Sequence, residues 1–496
     1  MITTECQLSP CSMPPVVLIH GLFGWGEERP LCGLGPTYFP IQQLRRLWRR
    51  GPILAVDVGA ASSDHDRACE AFAQLKGSRV DYGADHSRQC GHVRFGTDYS
   101  QKRGLLETWD ASHPVHLIGH SFGGTTAVTL FHMIAEDYWG IGSNAEWVLS
   151  ISCICSPLRG CNLPQALGLE PSSESWLAAA NASVGGLLWK AQVAWPEFLK
   201  PLFNPRLDQF RDNSNLRSVL KADHPWQKDN LIMGKCTRFC ASFWGEREHL
   251  SGTYLIAVVA DSLEPLAPAA AFRAAAPYAG ALAGFWWLLV YLVWRSRKKL
   301  KEKLLVLSQQ RRVRQAALVL CGWTLASPLI AMPLLTAPQL RRFRSFLGAQ
   351  LQVALEPLRP LLHGWVARPL LRLCSHAISS TSGHELAEND GLIDLKSQRG
   401  IRRQKKHLAF RGIQSTDSMT LACETSLAQT CSQEDVAGEM REVKSTEVLE
   451  RGKWRVINVQ GADHCLGTWL DHRHTSSMYN TVFSLLQRCE SRHLDV

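Results

Sequence analysis

Residues 115–124 read VHLIGHSFGG, and this stretch decides the fold. The apolar run at its start, 115–118, predicts a buried strand, and residues 123–138 have helical character. Between them stands Gly-x-Ser-x-Gly, whose glycines give steric room where a strand turns sharply into a helix and leaves a serine Oγ exposed above the sheet edge. The pattern predicts Ser121 as a nucleophile, and the alternative is a serine at an ordinary Gly-rich helix start.

Other apolar runs extend this alternation of strands and helices along the chain. An amphipathic stretch, residues 39–50, separates the first two runs. Because strands that alternate with helical stretches form a parallel sheet covered on both faces, we expect an α/β-hydrolase fold with a mostly parallel central sheet flanked by helices. The additional predicted strands cover residues 16–20, 53–58, 147–155 and 454–459.

Composition and charge narrow the function classes. Of the 496 residues, 45% are hydrophobic and 20% are charged, which is typical of a globular chain. The net charge of +10 comes from a few short basic blocks, two of them beside strongly apolar segments. This favours a membrane surface over nucleic acid, and we expect no nucleic-acid partner. The 16 cysteines include no CxxC pair, so we expect mostly reduced thiols.

Backbone donors for an oxyanion are predicted at two places. Acyl transfer needs N–H groups aimed at the negative charge that develops on the carbonyl oxygen. The loop HGLFG, residues 20–24, follows the first predicted strand, where this fold places one such donor. The second donor is the N–H of Phe122, the residue after the nucleophile. A plain turn is the alternative interpretation of the His-Gly loop.

An acid and a histidine are expected after the serine, each on a loop that follows a late strand. The sequence ENDG at 388–391 contains Asp390 as a candidate acid. The predicted strand at 454–459 runs into Gly461 and then His464, the candidate histidine. His464 would accept the serine proton, and Asp390 would orient the imidazole. Asp463 is the rival acid, although direct neighbours in sequence rarely face one another. The alternative interpretation of Asp390 is that it simply forms a turn, the usual role of an Asn-Asp-Gly sequence.

Several motifs together resemble one known family, the lipases of thermophilic Gram-positive bacteria and staphylococci, with their plant and algal relatives. The resemblance is dense from residue 15 to about 158 and patchy but ordered to His464. It implies lipase activity, a triad of Ser121, Asp390 and His464, and an oxyanion hole formed by Leu22 and Phe122. The motifs that carry it are HGLFGWG (20–26), DRACEAFAQL (66–75), VDYGADH (80–86), GHVRFG (91–96), LDQF (207–210), ENDG (388–391) and DH (463–464).

The resemblance also implies a structural zinc ion. Two aspartates and two histidines would bind it, and carboxylates with imidazoles suit a closed four-coordinate zinc site. The corresponding residues are Asp66, His86, His92 and Asp229. The fourth ligand rests on the weakest alignment, so Asp208 and Asp223 remain alternatives.

A calcium site is not expected. The family's calcium site uses a glutamate two residues after the histidine, where this chain has Leu466. Asp471 alone cannot rebuild such a site.

The chain departs from the family in a long apolar insertion. We expect residues 1–264 and 383–496 to form the hydrolase domain and residues 265–382 to be inserted between them. Two apolar segments, 274–294 and 316–338, flank a basic stretch and have the length of a membrane hairpin. A buried helical pair is the alternative.

Two further segments have expected roles. Residues 162–203 are apolar and could form a helical lid over the site, or ordinary helical core. Residues 399–446 are polar and charged, and we expect a disordered loop there.

These observations predict a membrane-associated lipase or carboxylic-ester hydrolase that acts on lipid esters. A spanning hairpin with its basic stretch in the cytosol would place both parts of the hydrolase domain on the opposite side, but no signal peptide is apparent at the start of the sequence. Either the true N-terminus is missing, or the hairpin is shallow and the protein attaches to the cytosolic face of a membrane, with the basic stretch against anionic lipid. We favour the second alternative. A phospholipase or galactolipase is one alternative. A catalytically silent, membrane-anchored interaction protein with this fold is another.

Overall fold

The structure is a computed structural model of the 496-residue chain. The residues that it describes are 13–31, 33–49, 51–101, 103–158, 160–161, 203–210, 225, 248–261, 350–353, 355–368, 371, 393, 398 and 449–494. Several predictions fall outside these ranges: Asp229, Asp390, the lid stretch up to residue 202, both apolar segments and the loop 399–446.

Six parallel strands form the central sheet, in the order β2-β1-β5-β6-β7-β8. The order reverses between β1 and β5, so that the loops after these two strands diverge to opposite sides. In open parallel sheets, ligands bind at such a switch point, beyond the carboxyl ends of the strands. The strands are β1 (Val16–Ile19), β2 (Ile53–Val56), β5 (Val115–His120), β6 (Val148–Ile154), β7 (Tyr254–Asp261) and β8 (Trp454–Gln460).

Among the described residues, five helices and a separate pair of antiparallel strands accompany this sheet. Strands β3 (Arg79–Asp81) and β4 (Phe95–Asp98) pair antiparallel in a separate two-stranded sheet. The helices are α1 (Ile41–Leu47), α2 (Asp64–Lys76), α3 (Ala84–Cys90), α4 (Phe122–Ala135) and α5 (Thr475–Leu494). Short helical turns follow one another at Glu356–Leu358, Arg359–Leu361 and Leu362–Ala367.

Two hydrophobic clusters cover the two faces of the sheet, because successive side chains of a strand point to opposite faces. Val17 and Ile19 of β1 pack in the cluster that includes α2 and α4. Val16 and Leu18 pack in the cluster that includes α1 and α5. All four side chains are fully buried, so β1 is a central strand whose end is held in place from both faces.

Helix α2 has clear start and stop signals. The hydroxyl of Ser63 accepts a hydrogen bond from the backbone N–H of Asp66, which caps the first turn. Gly77 ends the helix in the left-handed conformation, with φ 71°. Asp66 therefore lies in the first turn of α2, close to the carboxyl ends of the neighbouring strands.

The predicted fold class is confirmed by this arrangement of sheet and helices. All five strands predicted from apolar runs are present, with ends that differ by one or two residues. Strand β7, helix α5 and the antiparallel pair of β3 and β4 were not predicted from the sequence. Within the described ranges, no helix combines the length and the apolar character needed to cross a membrane.

Candidate active site

Ser121 lies at a sharp turn between β5 and α4, and its backbone is strained. Its φ of 55° and ψ of −129° are values that residues other than glycine rarely adopt. The flanking glycines make the turn possible: a Cβ at Gly119 would lie 2.2 Å from the carbonyl carbon of Gly123, and a Cβ at Gly123 would lie 2.0 Å from the carbonyl oxygen of Ile19. The strain and the close packing together define a nucleophile elbow.

His464 reaches the serine from the loop after β8. Its Nε2 lies 3.0 Å from the Oγ of Ser121, within hydrogen-bond distance. The two side chains are 343 residues apart in sequence, and both residues are nearly buried, with 5% and 7% of their surface exposed. The structure thus brings together the predicted nucleophile and the predicted base in the geometry that proton transfer requires.

The loop after β1 packs directly against this serine. A Cβ at Gly21 would lie 2.7 Å from the Cβ of Ser121, so only glycine allows the approach. The loop is held by a hydrogen bond from the N–H of Phe23 to the carbonyl of Ala60, at 2.9 Å. Leu22 therefore stands in the loop beside the nucleophile, where its N–H was predicted to contribute.

Phe122 is the first residue of α4. The first N–H groups of a helix have no acceptor within the helix, and they carry the positive end of its dipole. Phe122, the second predicted oxyanion donor, therefore stands at this end of α4, directly after Ser121.

Arg67 ties the loop after β1 to the helices, a role that the sequence pattern did not indicate. Its guanidinium donates to the carbonyl oxygens of His20 and Gly59 and to the hydroxyl of Thr126. Arg67 is completely buried, and burial lowers its pKa to about 10, so the side chain still carries its charge at neutral pH. A buried charge is tolerated where hydrogen bonds satisfy it, and here they join β1, α2 and α4.

A second hydrogen-bonded chain joins the three loops of the site. The N–H of Gly21 donates to the Tyr38 hydroxyl at 3.2 Å, and this hydroxyl donates to Nδ1 of His120 at 2.7 Å. Nε2 of His120 then donates to the carbonyl oxygen of His464 at 2.9 Å. Burial, helped by the nearby His464, lowers the pKa of His120 to about 3, so its imidazole is neutral and fits both roles.

Asp463, the rival acid, is bound to other partners. Its carboxylate accepts from Nε2 of His363 at 2.9 Å and from the N–H of Cys465 at 3.0 Å, and Nε of Arg368 lies 3.5 Å away. Burial would raise the pKa of Asp463, but the hydrogen bond and charge of His363 outweigh it and hold the pKa below its usual range. Asp463 therefore has a structural set of contacts, while Asp390 lies outside the described residues.

The helical turns near residue 360 hold the histidine loop in a second place. Arg359 donates to the carbonyl oxygen of Asp471 at 3.1 Å, and Glu356 accepts from the indole N–H of Trp469 at 3.0 Å. These turns belong to the C-terminal part of the predicted insertion. They pack against the loop that carries His464, so this part of the insertion contacts the hydrolase core.

Three of the four predicted zinc ligands converge beside α2. Oδ1 of Asp66 lies 3.0 Å from Nε2 of His86, and Oδ2 lies 3.6 Å from Nε2 of His92. Asp66 is fully buried. Burial would raise its pKa, but the charge of His92 and the hydrogen bonds from the neighbouring histidines hold the pKa well below its usual range. A buried carboxylate between two imidazoles fits the donor chemistry of a zinc site.

Asp208, one of the alternatives for the fourth ligand, lies near this cluster in the short helical turn Asp208–Phe210. Its carboxylate accepts a hydrogen bond from the Thr97 hydroxyl. The neighbouring Gln209 donates from Nε2 to Oδ2 of Asp66 at 3.3 Å. Asp229 and the other alternative, Asp223, lie outside the described residues.

The parallel sheet with its switch point, the strained strand-to-helix turn and the serine–histidine contact define the class of the fold: the chain has an α/β-hydrolase fold. A family described as "Lipase-like, C-terminal domain" matches residues 12–139. The chain is 34% identical over 182 residues to a lipase of Staphylococcus hyicus; the aligned stretch covers 33% of this chain and 28% of that protein. It is 38% identical over 125 residues to Lipase 2 of Staphylococcus aureus, covering 24% of this chain and 17% of that lipase.

Solved structures give a weaker similarity over a longer stretch. The crystal structure of Staphylococcus hyicus lipase has a TM-score of 0.49 at 18% identity and covers 98% of this chain and 99% of that one. Lipase 1 from Pelosinus fermentans has a TM-score of 0.48 at 19% identity, covering 96% and 98%. The fold class rests on the strand order and on the strained turn at Ser121. The sequence matches confirm the predicted relationship: the chain is related to the staphylococcal type of lipase through its N-terminal third.

Proposed function

We propose that the protein hydrolyses acyl esters of lipids with Ser121 as the nucleophile. The observation that carries this proposal is the 3.0 Å contact between Oγ of Ser121 and Nε2 of His464, made at a strained elbow directly beside the Gly21 loop. The sequence matches to proteins named lipases support a lipid ester as the substrate.

The reaction proceeds in two half-reactions. His464 accepts the proton of the Ser121 hydroxyl as Oγ attacks the ester carbonyl, and the N–H groups of Leu22 and Phe122 stabilise the oxyanion of the tetrahedral intermediate. The intermediate collapses, and the imidazolium returns the proton to the leaving alcohol. Water, deprotonated by His464, then attacks the acyl-enzyme and releases the fatty acid.

Asp390 is the acid of the triad in this proposal. An acid behind the histidine fixes its tautomer and stabilises the imidazolium that forms in the transition state. The contacts of Asp463 with His363 and Arg368 support the choice of Asp390, because they commit the rival carboxylate to another pair of side chains.

We also propose that the protein holds a structural zinc ion at Asp66, His86 and His92, with Asp229 as the fourth ligand. A zinc ion bound there would crosslink the start of α2 and the region of α3, and its binding energy would stabilise the folded state. The buried convergence of the three described side chains supports this site. Metal analysis of the purified protein, with unfolding temperatures before and after chelation, tests it: a stoichiometric zinc ion and a lower unfolding temperature are expected.

Finally, we propose that the protein attaches to the cytosolic face of a membrane through its apolar segments, 274–294 and 316–338. A lipid substrate and the basic residues between the segments support this attachment. Flotation of the full chain with anionic vesicles tests it. Protein that stays at the bottom of the gradient argues against membrane attachment.

The substrate class is tested by a side-by-side assay of the wild type and Ser121→Ala. The substrates are a short soluble ester, a long-chain triglyceride emulsion, phospholipid vesicles and galactolipid vesicles. Preference for the emulsion indicates a neutral-lipid lipase, and preference for either vesicle indicates a phospholipase or a galactolipase. If the wild type is no more active than the variant on every ester, the protein is a catalytically silent relative.

A further inference from the structure

One helical stretch beside the active site turns its polar side chains toward the protein. This stretch, the rim segment, comprises the helical turns of residues 350–353 and 355–367. Four polar residues, spaced four, three and four positions apart, fall on one side of such a helix: Gln352, Glu356, Arg359 and His363. Each of them hydrogen-bonds to a loop of the site.

The rim segment contacts both loops that meet at the reacting serine. Gln352 donates to the hydroxyl of Thr37 at 3.0 Å and accepts from Arg29 at 3.3 Å, and both partners lie in the loop between β1 and α1. The later turns of the segment bond to the loop that carries His464. The rim segment is therefore attached to the edge of the active site along its polar side.

The other side of the rim segment is apolar and exposed. Leu351, Leu358 and Leu361 are spaced seven and three residues apart, so they also share one side of the helix. Leu358 and Leu361 are 45% and 49% exposed, whereas Arg359 between them is only 8% exposed. A helix of a globular domain normally has the reverse arrangement, with its apolar stripe toward the core and its charged side toward water.

The loop between β1 and α1 adds exposed apolar surface to the same edge. Phe23 and Leu31 are both exposed. Phe23 belongs to the stretch that packs against Ser121 through Gly21, and Leu31 lies two residues after the arginine that bonds to the rim segment. Exposed apolar surface that is concentrated in this way marks a site of interaction.

The sequence that precedes the rim segment indicates a lipid surface as the partner. Residues 339–349 alone separate the rim segment from the second apolar segment, 316–338. A stretch of that length spans at most about 40 Å, so a bilayer that holds the apolar segment also keeps the rim segment near its surface. The stretch has no acidic residue and contains three arginines, which favour an anionic leaflet: Arg341, Arg342 and Arg344.

We propose that the leucine side of the rim segment lies on an anionic lipid bilayer and holds the edge of the active site against it. The inference rests on the membrane attachment of the proposed function and adds an orientation of the hydrolase domain to it. The leucines enter the boundary between headgroups and acyl chains, as in amphipathic helices that lie in the plane of a membrane. The polar side of the segment meanwhile keeps the loops around Ser121 and His464 at the bilayer surface.

An environment-sensitive label on the full chain tests this orientation. Leu361→Cys is labelled with a nitrobenzoxadiazole dye and mixed with vesicles of ether-linked phosphatidylcholine and phosphatidylglycerol, which contain no ester. Its emission should shift to the blue and become protected from acrylamide. Ile141→Cys is the matched control, because Ile141 is 47% exposed and precedes β6, at the opposite edge of the sheet from Ser121. The unsubstituted protein measures labelling of its other thiols.

Charge reversal of the surface gives a second measurement. For each variant, the rate on an ester embedded in anionic vesicles is divided by its rate on a short soluble ester, so that any change in the reacting groups cancels. This ratio should fall by about 10-fold or more in Leu358→Glu/Leu361→Glu, because charged side chains replace two that enter the bilayer. The control Leu105→Glu/Ile141→Glu, also at exposed apolar positions, should keep the wild-type ratio.

The outcomes separate this inference from the proposed function. A chain that floats with the vesicles while the label at position 361 stays in water, or shifts no more than the label at position 141, overturns the orientation and leaves membrane attachment in place. A blue shift that occurs without vesicles and grows with protein concentration assigns the leucine side to a second copy of the chain and also overturns it. A chain that does not float contradicts the attachment and the orientation together. The label decides these points even if the charged variants fail to fold or the protein hydrolyses no ester.

Discussion

The hydroxyl of Tyr38 lies 2.7 Å from Nδ1 of His120. This hydroxyl also accepts the N–H of Gly21, and His120 in turn donates to the backbone of His464. The Tyr38 hydroxyl therefore connects the loop after β1, the turn at the end of β5 and, through His120, the loop that carries His464. In these contacts it touches neither of the side chains proposed to react, Ser121 and His464. We interpret Tyr38 as a positioning residue.

Replacing Tyr38 with phenylalanine should slow the reaction by about 10-fold to 100-fold in kcat, because a shift of about 1 Å in the reacting groups has an effect of that order. It should also lower the free energy of unfolding by about 1–3 kcal/mol, since the buried Gly21 N–H and His120 Nδ1 lose their partner. Steady-state kinetics and denaturant unfolding of the two proteins measure both effects.

Tyr82→Phe is the control for Tyr38→Phe. Tyr82 is also fully buried, and its hydroxyl donates to Glu70 instead. This variant should lose stability with little change in kcat. Equal kcat for wild type and Tyr38→Phe would show that the hydroxyl has no positioning role.

The elbow glycines should tolerate no side chain. Gly123→Ala places a Cβ 2.0 Å from the carbonyl oxygen of Ile19, a backbone atom that cannot move aside. We expect a loss of at least about 2 kcal/mol in the free energy of unfolding, together with loss of hydrolysis. Gly252→Ala is the matched control, because a Cβ there meets nothing within 4 Å. An active, fully stable Gly123→Ala protein would contradict the described elbow.

The choice between the two acids is tested by a pair of amide variants. Asp390→Asn should reduce kcat by about 10⁴-fold, as expected when the triad histidine loses its acid, with little change in stability. Asp463→Asn should mainly reduce stability, because His363 and Arg368 lose a buried anion. The reverse result, a large kcat loss only in Asp463→Asn, would make Asp463 the acid.

The buried carboxyl of Glu70 should make the free energy of unfolding depend on pH. Burial raises its pKa to about 8 from a usual value of 4.5, despite a hydrogen bond from the N–H of Gly59. The folded state therefore keeps a proton that the unfolded state releases between these two values. Stability should fall as pH rises through this window, by up to about 1.4 kcal/mol per pH unit.

Glu70→Gln carries no such proton and isolates the effect. Relative to this variant, the wild type should lose stability from about pH 4.5 to about pH 8 and keep a constant difference above that. Urea unfolding at a series of pH values measures the difference, and the exposed Glu146→Gln controls for loss of a carboxylate. Parallel curves for wild type and Glu70→Gln would refute the assignment.

The sequence predicted the parts of the site that depend on local pattern. The elbow could be read because its strand, glycines and helix are contiguous, and β1 and β8 are apolar runs next to Gly-rich turns. Tyr38 could not be found this way, since its partners are 17 and 82 residues distant. Arg67 lies within a matched motif, but its role depends on its complete burial between β1 and α4.

The most direct test of the central claim is covalent labelling with a fluorophosphonate, followed by peptide mapping. We predict one adduct, on Ser121, formed by the folded wild type and by Ser152→Ala, and absent from Ser121→Ala and from unfolded protein. The rate of labelling should fall strongly in His464→Ala, because the serine loses its base. A folded wild type that remains unlabelled, or that is labelled on another serine, would contradict the account.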